Sequence, residues 1–573
     1  MSSHAFNLSK PFPPSPTPSN LPLPFSIDEM DFSGWLSTLA KANDMAKCQR
    51  IFQVLQTLNN AYPPERKLIP GRTRLFFLEK MGSVLMPATA MLTIFPNTSD
   101  SSSEVNEQES ASSQISAWSS LELGNAYSLL SQEDWFKDDG YYSTEEKSLI
   151  LSNGIQAMGW GLLYISQTYT KPYVYFWHKC FQFYRLARLN RLTDSEFNPD
   201  AQAIDNAFKR VLVFALSNTN QFSPQDMRMI HDLLGHYGYY ASFLKAVPKK
   251  KFKGIPSIHL KGNGPPALGD DKLDAQDDPD QLYIAMVTVA SKILEATYDK
   301  HARHLPTDRL MLLRLAKTLT LSEQRKDRRE EAKGDHLGTM GFGNIVEFLR
   351  NKELQAQGIA ASSTIGSLDP SRPGELRKLD FGISGIDSNR RDADTGDKTE
   401  KLAEKDPSIA FQVIEFTDPS EIWQSGNQAN YQTNMRLVDK SKKGYGLLWT
   451  DNKIKPKVGN IIGIAHKTLT LGLIRWLAQS KETGMFMGVE LLDTNATTVK
   501  VTNPGYPDNE VSAIYLPGGG AVKQSASLIF LNKGFKPEEF IFLNKNHKNM
   551  RYRLTKQLHI TSFINHVEVV RSH

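Results

Sequence analysis

The chain has 573 residues, which is too many for one ordinary hydrophobic core, so two or more domains are expected. Hydrophobic residues make up 40% of the chain and charged residues 23%, which excludes a chain that is disordered throughout. The net charge of +5 permits a nucleotide or an acidic partner without requiring either, and it disfavours a role based on binding nucleic acid.

Cysteine usage and the apolar runs bear on the cellular compartment. Cys48 and Cys180 are too few and too far apart for a disulfide framework or a zinc site, and they suit a reducing compartment. The N-terminus lacks the apolar core of a secretory signal. The apolar run 81–95 is shorter than a membrane span and contains a proline. We therefore expect a cytoplasmic protein without a membrane span.

The first half of the chain is predicted to be helical after a short tail. Residues 1–27 are rich in Pro and Ser and are expected to be disordered. From 28 to 320, apolar residues recur at three- and four-residue steps, which predicts an all-α domain. Segment 45–61 shows this pattern, with one face formed by Cys48, Ile51, Phe52, Leu55 and Leu58. Polar stretches at 96–120 and 249–280 are predicted to be loops between the helices, the second with one short strand at 255–260.

The second half of the chain has a different period. Residues 321–350 carry a group of arginines followed by a possible first strand, and 351–407 is predicted to be a flexible insertion because it is long and polar. From 408 to 573 the apolar residues alternate in short runs separated by turn signals, beginning at 411–415. This pattern predicts an antiparallel β-barrel with a C-terminal β extension. The fold class is therefore α + β, with a helical domain followed by a barrel.

A turn within the β region carries an unusual set of side chains. Segment 437–449 reads as a strand, a turn and a second strand, and Asp439, Ser441 and Gly444 form the pattern Asp-x-Ser-x-x-Gly. These residues can serve the turn itself, because Asp and Ser side chains bond to nearby backbone and glycine tolerates a positive φ. They can also serve a bound anionic ligand. The six residues alone leave both interpretations open.

The strands that follow this turn resemble those of the PilZ domain, a small antiparallel β-barrel that commonly binds cyclic di-GMP. Its hallmark turn is (Asp/Asn)-x-Ser-x-x-Gly, and the resemblance covers 435–492 specifically and the rest of the C-terminal region more loosely. The strands that carry it lie at 445–449, 458–464, 471–479 and 486–492. With its helical half ahead of the barrel, the whole chain is similar to large proteobacterial PilZ-containing proteins.

The resemblance also implies an Arg-x-x-x-Arg half-motif near the first strands of the barrel. Here Arg325 and Arg329 match it, with Arg328 beside them, and Arg329 lies 110 residues before Asp439. This spacing is longer than in a compact PilZ domain, but the polar insertion can loop out at modest entropic cost. The alternative interpretation is a solvated helix end, whose charge is balanced by the two glutamates that follow.

The chemistry of cyclic di-GMP explains why such residues would be needed. Arg325, Arg328 and Arg329 offer forks of donors that fit a phosphate or the O6/N7 edge of guanine. Asp439 can accept hydrogen bonds from the N1–H and N2–H₂ edge of guanine. Ser441 can add a hydroxyl contact, and Gly444 allows the backbone to approach a ligand closely.

No pattern for catalysis or metal binding is recognised. The sequence has no nucleophile elbow, kinase motif set or paired catalytic carboxylates, so no catalytic residues and no cofactor are expected. His301 and His304 lie one helical turn apart without an evident third ligand, and we expect no metal site. Trp423, Arg475 and Trp476 are interpreted as packing residues.

The sequence thus predicts a non-enzymatic receptor of cyclic di-GMP, whose helical domain binds a protein partner. The alternative is an adaptor whose PilZ-like barrel binds no nucleotide and acts only through protein contacts. RNA binding is a weaker third possibility, because the net charge is mild and no RNA-binding signature is present.

Overall fold

A computed structural model gives the fold in two compact units. The first unit contains most residues up to 324, and the second contains 325–573 with two short stretches, 96–107 and 221–223. The structure describes residues 23–26, 28–60, 69–94, 103–138, 140–244, 255–268, 278–298, 309–320, 329–356, 433–450, 455–465, 469–479, 484–493, 495–504, 506–518, 525–531, 535–545, 548–561 and 563–572.

The first unit is mainly helical, as the apolar period predicts. Its helices are α1 (Glu29–Ala40), α2 (Asp44–Asn60), α3 (Gly71–Leu92), α4 (Ser103–Gln132), α5 (Asp134–Lys137), α6 (Thr144–Gln167), α7 (Val174–Leu189), α8 (Ala201–Leu216), α9 (Pro224–Tyr237), α10 (Val287–Tyr298) and α11 (Arg309–Thr320). Helix α6 begins with a capping box, in which the Ser143 side chain and Glu146 each accept from the other's backbone N–H. The predicted face of α2 is buried, from Cys48 to Leu58. The helical N-terminal half is confirmed.

Helix α3 is the one helix in the described part of the chain that is long and apolar enough to cross a membrane, judged by length and composition alone. It carries Arg74, which is 7% exposed and donates through Nη1 to Glu133 Oε1 at 2.6 Å. A buried arginine with a carboxylate partner is a feature of a core helix in a globular unit.

The predicted loop at 96–120 is wrong from residue 103 onward, where α4 begins. Its serines suggested a loop because their hydroxyls compete with backbone hydrogen bonds. In the helix, Ser119 Oγ instead donates to Ile115 O at 2.7 Å and to Cys48 O at 3.2 Å. The small serine side chains allow α4 to be buried.

The second predicted loop, 249–280, also contains regular structure. Strands β1 (Ser242–Leu244), β2 (Pro256–His259), β3 (Ala267–Leu268) and β4 (Gln281–Ala285) form an antiparallel sheet in the order β1-β4-β2-β3. Strand β2 lies within the short strand predicted at 255–260, whereas β3 lies in a part of this stretch that was predicted as loop. The predicted strand buries an apolar face, because Ile258 and Leu260 are each 2% exposed.

The second unit begins with a closed six-stranded barrel. Its strands are β5 (Glu330–Met340), β6 (Thr433–Ser441), β7 (Gly444–Trp449), β8 (Ile461–Ala465), β9 (Leu469–Gln479) and β10 (Met485–Asp493), in the order β10-β7-β6-β5-β8-β9. The segment after the arginines thus supplies β5, which pairs with β6 and β8. Helix α12 (Phe342–Ala356) follows β5 and extends past residue 351. The remaining predicted insertion and the strand predicted at 411–415 lie outside the described residues.

The predicted C-terminal extension is a second closed barrel. Strands β11 (Thr497–Asn503), β12 (Tyr506–Leu516), β13 (Ser527–Phe530), β14 (Phe540–Lys545), β15 (Lys548–Ile560) and β16 (Asn565–Arg571) close in the order β11-β12-β13-β16-β15-β14. Closure requires the pairing of β11 with β14, from Lys500↔Asn544 to Thr502↔Phe542. Alternating residues predict strands but not which strands pair, so this closure was missed.

Helix α12 joins the two barrels through a shared core. That core contains Phe342, Ile345, Phe348 and Leu349 of α12, Ile461, Leu469, Leu471, Leu473 and Leu492 of the first barrel, and Ile514, Leu516, Ile529 and Ile564 of the second. The Glu353 side chain accepts from Thr498 N at 3.1 Å and from Thr498 Oγ1 at 3.0 Å. The helix therefore links the end of β5 to the start of β11.

Candidate ligand site on the first barrel

The Asp-x-Ser-x-x-Gly segment forms a tight hairpin between β6 and β7. Ser441 pairs with Gly444, which leaves Lys442 and Lys443 as the exposed two-residue turn. Ser441 Oγ donates to Gly444 O at 3.2 Å, and Leu491 N donates to Lys443 O at 2.9 Å. The serine therefore stabilises the hairpin, and the turn backbone holds it to β10, with or without a ligand.

Gly444 is required by packing rather than by backbone conformation. It is not among the glycines with a positive φ, so the turn does not use the tolerance of glycine for that conformation. A Cβ at Gly444 would lie 2.6 Å from Val489 O, a backbone atom that cannot move aside cheaply. The glycine lets β7 approach β10 closely at the base of the turn.

A β-bulge sets the direction of Asp439. The register shifts between Leu437, which pairs with Leu447, and Asp439, which pairs with Gly446. Asp439 therefore lies on the face of Gly446, and a Cβ at Gly446 would be 2.5 Å from Asp439 Oδ1. Asp439 is 5% exposed. The missing side chain of Gly446 gives this carboxylate its place on the barrel surface.

Arg329 reaches the same carboxylate from the start of β5. Its Nη1 donates to Asp439 Oδ1 at 2.6 Å and to Oδ2 at 2.7 Å, which are distances of charge-assisted hydrogen bonds. The Arg329 side chain is 19% exposed and that of Asp439 7%. Glu330 and Lys440, the next residues on the two strands, are paired in register, with Lys440 Nζ at 3.8 Å from Glu330 Oε2.

The structure thus brings four of the six predicted site residues together. Pairing of β5, β6 and β7 places Arg329, Asp439, Ser441 and Gly444 at one end of the first barrel. The other two predicted residues, Arg325 and Arg328, lie outside the described residues. The long spacing in sequence is bridged because β5 and β6 are neighbours in the barrel.

One aromatic residue beside this group was interpreted only as a packing residue. Strand pairing sets Asp439, Gly446, Gly488 and Trp476 in one row across β6, β7, β10 and β9. The pyrrole edge of the half-buried Trp476 indole lies where a Cβ of Gly488 would be. The two glycines make room for these side chains, because the Asp439 carboxylate lies over Gly446 and the indole lies over the neighbouring Gly488. The presence of a glycine in each of two neighbouring strands could have indicated that Trp476 lies near Asp439. The sequence does not show, however, that these glycines pair with each other and with those two residues.

The surroundings of the row are polar and charged. Arg475 Nε lies 3.2 Å from Glu490 Oε2, and Glu490 pairs in register with Gly444. Burial raises the pKa of Tyr445, the residue of β7 that pairs with Lys440. Within the described ranges, no group of three or more His, Cys, Asp or Glu residues is arranged to hold a metal ion. His301, His304 and Trp423 lie outside those ranges.

Three family models match the chain in succession. The first, cyclic-di-GMP receptor FimW, N-terminal domain, matches residues 31–248. The second, cyclic-di-GMP receptor FimW, middle PilZ domain, matches 259–498 and so contains the site. The third, FimW C-terminal beta-barrel domain, matches 497–571. Comparison with curated proteins and with solved structures gives no match. The three domains occur here in order over nearly the whole chain, and the chain therefore belongs to the FimW family of PilZ-containing cyclic di-GMP receptors.

Proposed function

We propose that the chain is a non-enzymatic cytoplasmic receptor that binds cyclic di-GMP on the first barrel, between the arginine segment and the Asp439 turn. The observation that carries the proposal is the pairing of Arg329 with Asp439. It supports an arginine arm that reaches the hallmark turn despite the 110 residues between them.

The pair leaves donors and acceptors for a ligand. Only Nη1 of Arg329 takes part in the two bonds to Asp439, so they do not use the Nε and Nη2 donors, which have the fork geometry that suits a phosphate. A carboxylate has about four lone-pair positions, so Asp439 can accept from guanine while it stays bonded to Arg329. Arg325 and Arg328 precede this residue and would supply further forks.

Trp476 would supply the apolar part of the site. Its half-buried indole covers Gly488, beside the Asp439 carboxylate that covers Gly446. A base on the exposed side of the indole can stack on it while its edge meets the carboxylate, which combines π-contact with hydrogen bonding. Glycines at both positions support this arrangement, because a Cβ at either position would collide with Asp439 or with the indole.

A calorimetric titration tests the proposal. Purified chain is titrated with cyclic di-GMP, cyclic di-AMP and GTP. Cyclic di-GMP should bind and cyclic di-AMP should bind much more weakly, because adenine presents a donor where guanine presents O6. Equal binding of the two cyclic dinucleotides, or no heat at tens of micromolar, would contradict guanine recognition.

A second candidate function is an adaptor that binds no nucleotide. The same ion pair favours it, because Arg329 and Asp439 satisfy each other without any ligand, as a purely structural pair does. The adaptor would act through protein contacts alone, and the titration separates the two functions. In either case we propose that the helical unit binds a protein partner, as the length of the helical half suggests.

A further inference from the structure

The second barrel carries an apolar surface that its own core does not use. Ile541, Leu543, Tyr552, Leu554 and Val569 are buried in the core of that barrel. The residues between them on β14, β15 and β16 face the other way. We call this surface the Phe/Arg face, and it consists of Phe540, Phe542, Arg551, Arg553 and Val570.

The Phe/Arg face is continuous across three strands. Phe540 pairs with Arg553, and Arg553 pairs with Val570, while Phe542 pairs with Arg551. Phe540 and Phe542 are each 37% exposed and Val570 is 54% exposed. Among the described residues of the second unit, these three are all the large apolar side chains that are exposed. Single exposed apolar residues are ordinary, but these three lie together on one face beside two arginines, which is the kind of grouping that an interaction surface requires.

The charges on the face indicate what would cover it. The Arg551 guanidinium lies 4.2 Å from the centre of the Phe540 ring, so a partner that covers the ring must also desolvate this cation. Desolvation of a cation is tolerable only where a carboxylate or a similar acceptor faces it. A partner for this face therefore has apolar side chains next to carboxylates.

A nucleic acid fits the face less well than a protein. Affinity for a polyanion depends on several cations that neutralise phosphates. Here Arg553 forms an ion pair with Glu538, and Lys500 beside the face lies 3.7 Å from Glu510 Oε2. Aromatic and Arg side chains together are instead the residues enriched in protein interfaces and their hot spots. The barrel is closed, so the partner must dock on side chains rather than add a strand to an edge.

We propose that the Phe/Arg face docks a segment of another protein that carries apolar side chains beside carboxylates. This inference goes beyond nucleotide binding on the first barrel. It assigns an output surface to the second barrel, in addition to the partner expected for the helical unit.

Site-specific photo-cross-linking in cells of the source organism tests the inference. The full chain carries p-benzoylphenylalanine in place of Phe542, and a matched control carries it in place of Lys333, an exposed residue of the first barrel. Cross-linked peptides are identified by mass spectrometry. We expect a protein cross-link at residue 542 and not at 333, to a segment with apolar residues and carboxylates.

A cross-link to some protein would not by itself show that Arg551 faces a carboxylate of the partner. Exchange of the two charges tests this contact. Arg551→Glu should lower the cross-linking yield about tenfold or more. Replacement of the mapped carboxylate by Lys should restore it. The melting temperature of Arg551→Glu and its affinity for cyclic di-GMP should equal those of the wild type, since Arg551 is exposed. If Arg551→Glu folds poorly, Arg551→Gln takes its place. The inference would be overturned by a cross-link to a second copy of the chain or to nucleic acid, or by the absence of any cross-link. It would also be overturned if the cross-linking yield were the same in Arg551→Glu as in the wild type.

Discussion

Arg329 and Asp439 are 110 residues apart in the chain, yet one guanidinium nitrogen donates to both carboxylate oxygens, at 2.6 and 2.7 Å. Both side chains are largely buried, at 19% and 7% exposure. A buried ion pair of this kind can hold two strands together, bind a ligand, or do both. Measurements of stability and of affinity on the same variants separate these roles.

Removal of the arginine should affect both properties. Arg329→Ala leaves the Asp439 carboxylate buried without this partner, which costs about 1–3 kcal/mol of unfolding free energy. It should also weaken cyclic di-GMP binding about ten- to hundredfold, because charge-assisted hydrogen bonds contribute about 1.5–3 kcal/mol. Urea denaturation and calorimetry measure the two effects, with the exposed Lys333→Ala as control.

A double variant distinguishes a structural pair from a ligand-binding pair. In Arg329→Ala/Asp439→Asn no buried carboxylate remains, so most of the lost stability should return. Nucleotide affinity should not return, since both ligand-binding groups are gone. If affinity recovers along with stability, the pair supports the fold and the ligand is bound elsewhere.

Gly446 should be needed for the position of Asp439. In Gly446→Ala the new methyl group would lie 2.5 Å from Asp439 Oδ1, so the carboxylate must shift away from its place beside Arg329. We expect affinity for cyclic di-GMP to fall at least about tenfold, as one charge-assisted bond is lost. Gly34→Ala is the matched control, because nothing lies within 4 Å of a Cβ there. Unchanged affinity in Gly446→Ala would remove Asp439 from the site.

Trp476 should contribute by stacking. Replacement of Trp476 by Ala should cost about 1–3 kcal/mol in affinity for cyclic di-GMP, while Trp476→Phe should retain part of it. Phe542→Ala, which removes a partly exposed aromatic ring from the second barrel, should leave this affinity unchanged. Quenching of indole fluorescence on titration would give independent evidence of contact. Equal affinities for wild type and Trp476→Ala would return this residue to a packing role.

These features differ in how far the sequence predicts them. The buried face of α2, from Cys48 to Leu58, follows from a local period, because helix geometry alone sets which residues share a face. The resemblance of the turn to PilZ likewise selected Asp439 and Ser441 from a short pattern. Local spacing and recognisable motifs therefore give the fold class and select the residues of the candidate site, but not their arrangement.

The rest depends on contacts between distant segments. Whether Arg329 reaches Asp439 is decided by the pairing of β5 with β6 across the intervening residues. The role of Trp476 depends on a register that includes a bulge between Gly488 and Val489. A shift of one residue would reverse the face of every side chain in such a strand, and no sequence period reveals it.

In the helical unit, a buried histidine should make stability depend on pH. Arg210 Nη2 lies 2.9 Å from His231 Nδ1, so Nδ1 must accept and the ring is neutral. Burial is the main cause that lowers the pKa of His231 to about 3; Arg210 and Arg228 lower it further, while Asp232 opposes them. A histidine with a depressed pKa contributes full stability above its unfolded pKa and loses it as pH falls from about 6.5 toward 3.

The variant His231→Asn isolates this contribution, because it keeps an acceptor but does not titrate. Between pH 7 and pH 5 the wild type should lose about 2 kcal/mol more stability than the variant, since only its unfolded state takes up the proton over about 1.5 pH units. Urea denaturation at both pH values gives the difference. Parallel pH profiles for the two proteins would mean that His231 is protonated in the fold.

Glu353 should transmit ligand binding from the first barrel to the second. Its carboxylate holds Thr498 N and Oγ1 at 3.1 and 3.0 Å, and its helix α12 follows directly on β5, which begins beside Arg329. In the wild type, cyclic di-GMP should slow hydrogen exchange in both β5 and β11. In Glu353→Ala, cyclic di-GMP should slow exchange in β5 only. Without ligand, the Thr498 amide of this variant should exchange about ten- to hundredfold faster than in the wild type, because it loses a hydrogen bond to a charged group worth about 1.5–3 kcal/mol. The neighbouring exposed Lys352→Ala should behave as wild type. Protection of β11 by ligand in Glu353→Ala would show that the barrels communicate by another route, such as their shared apolar core.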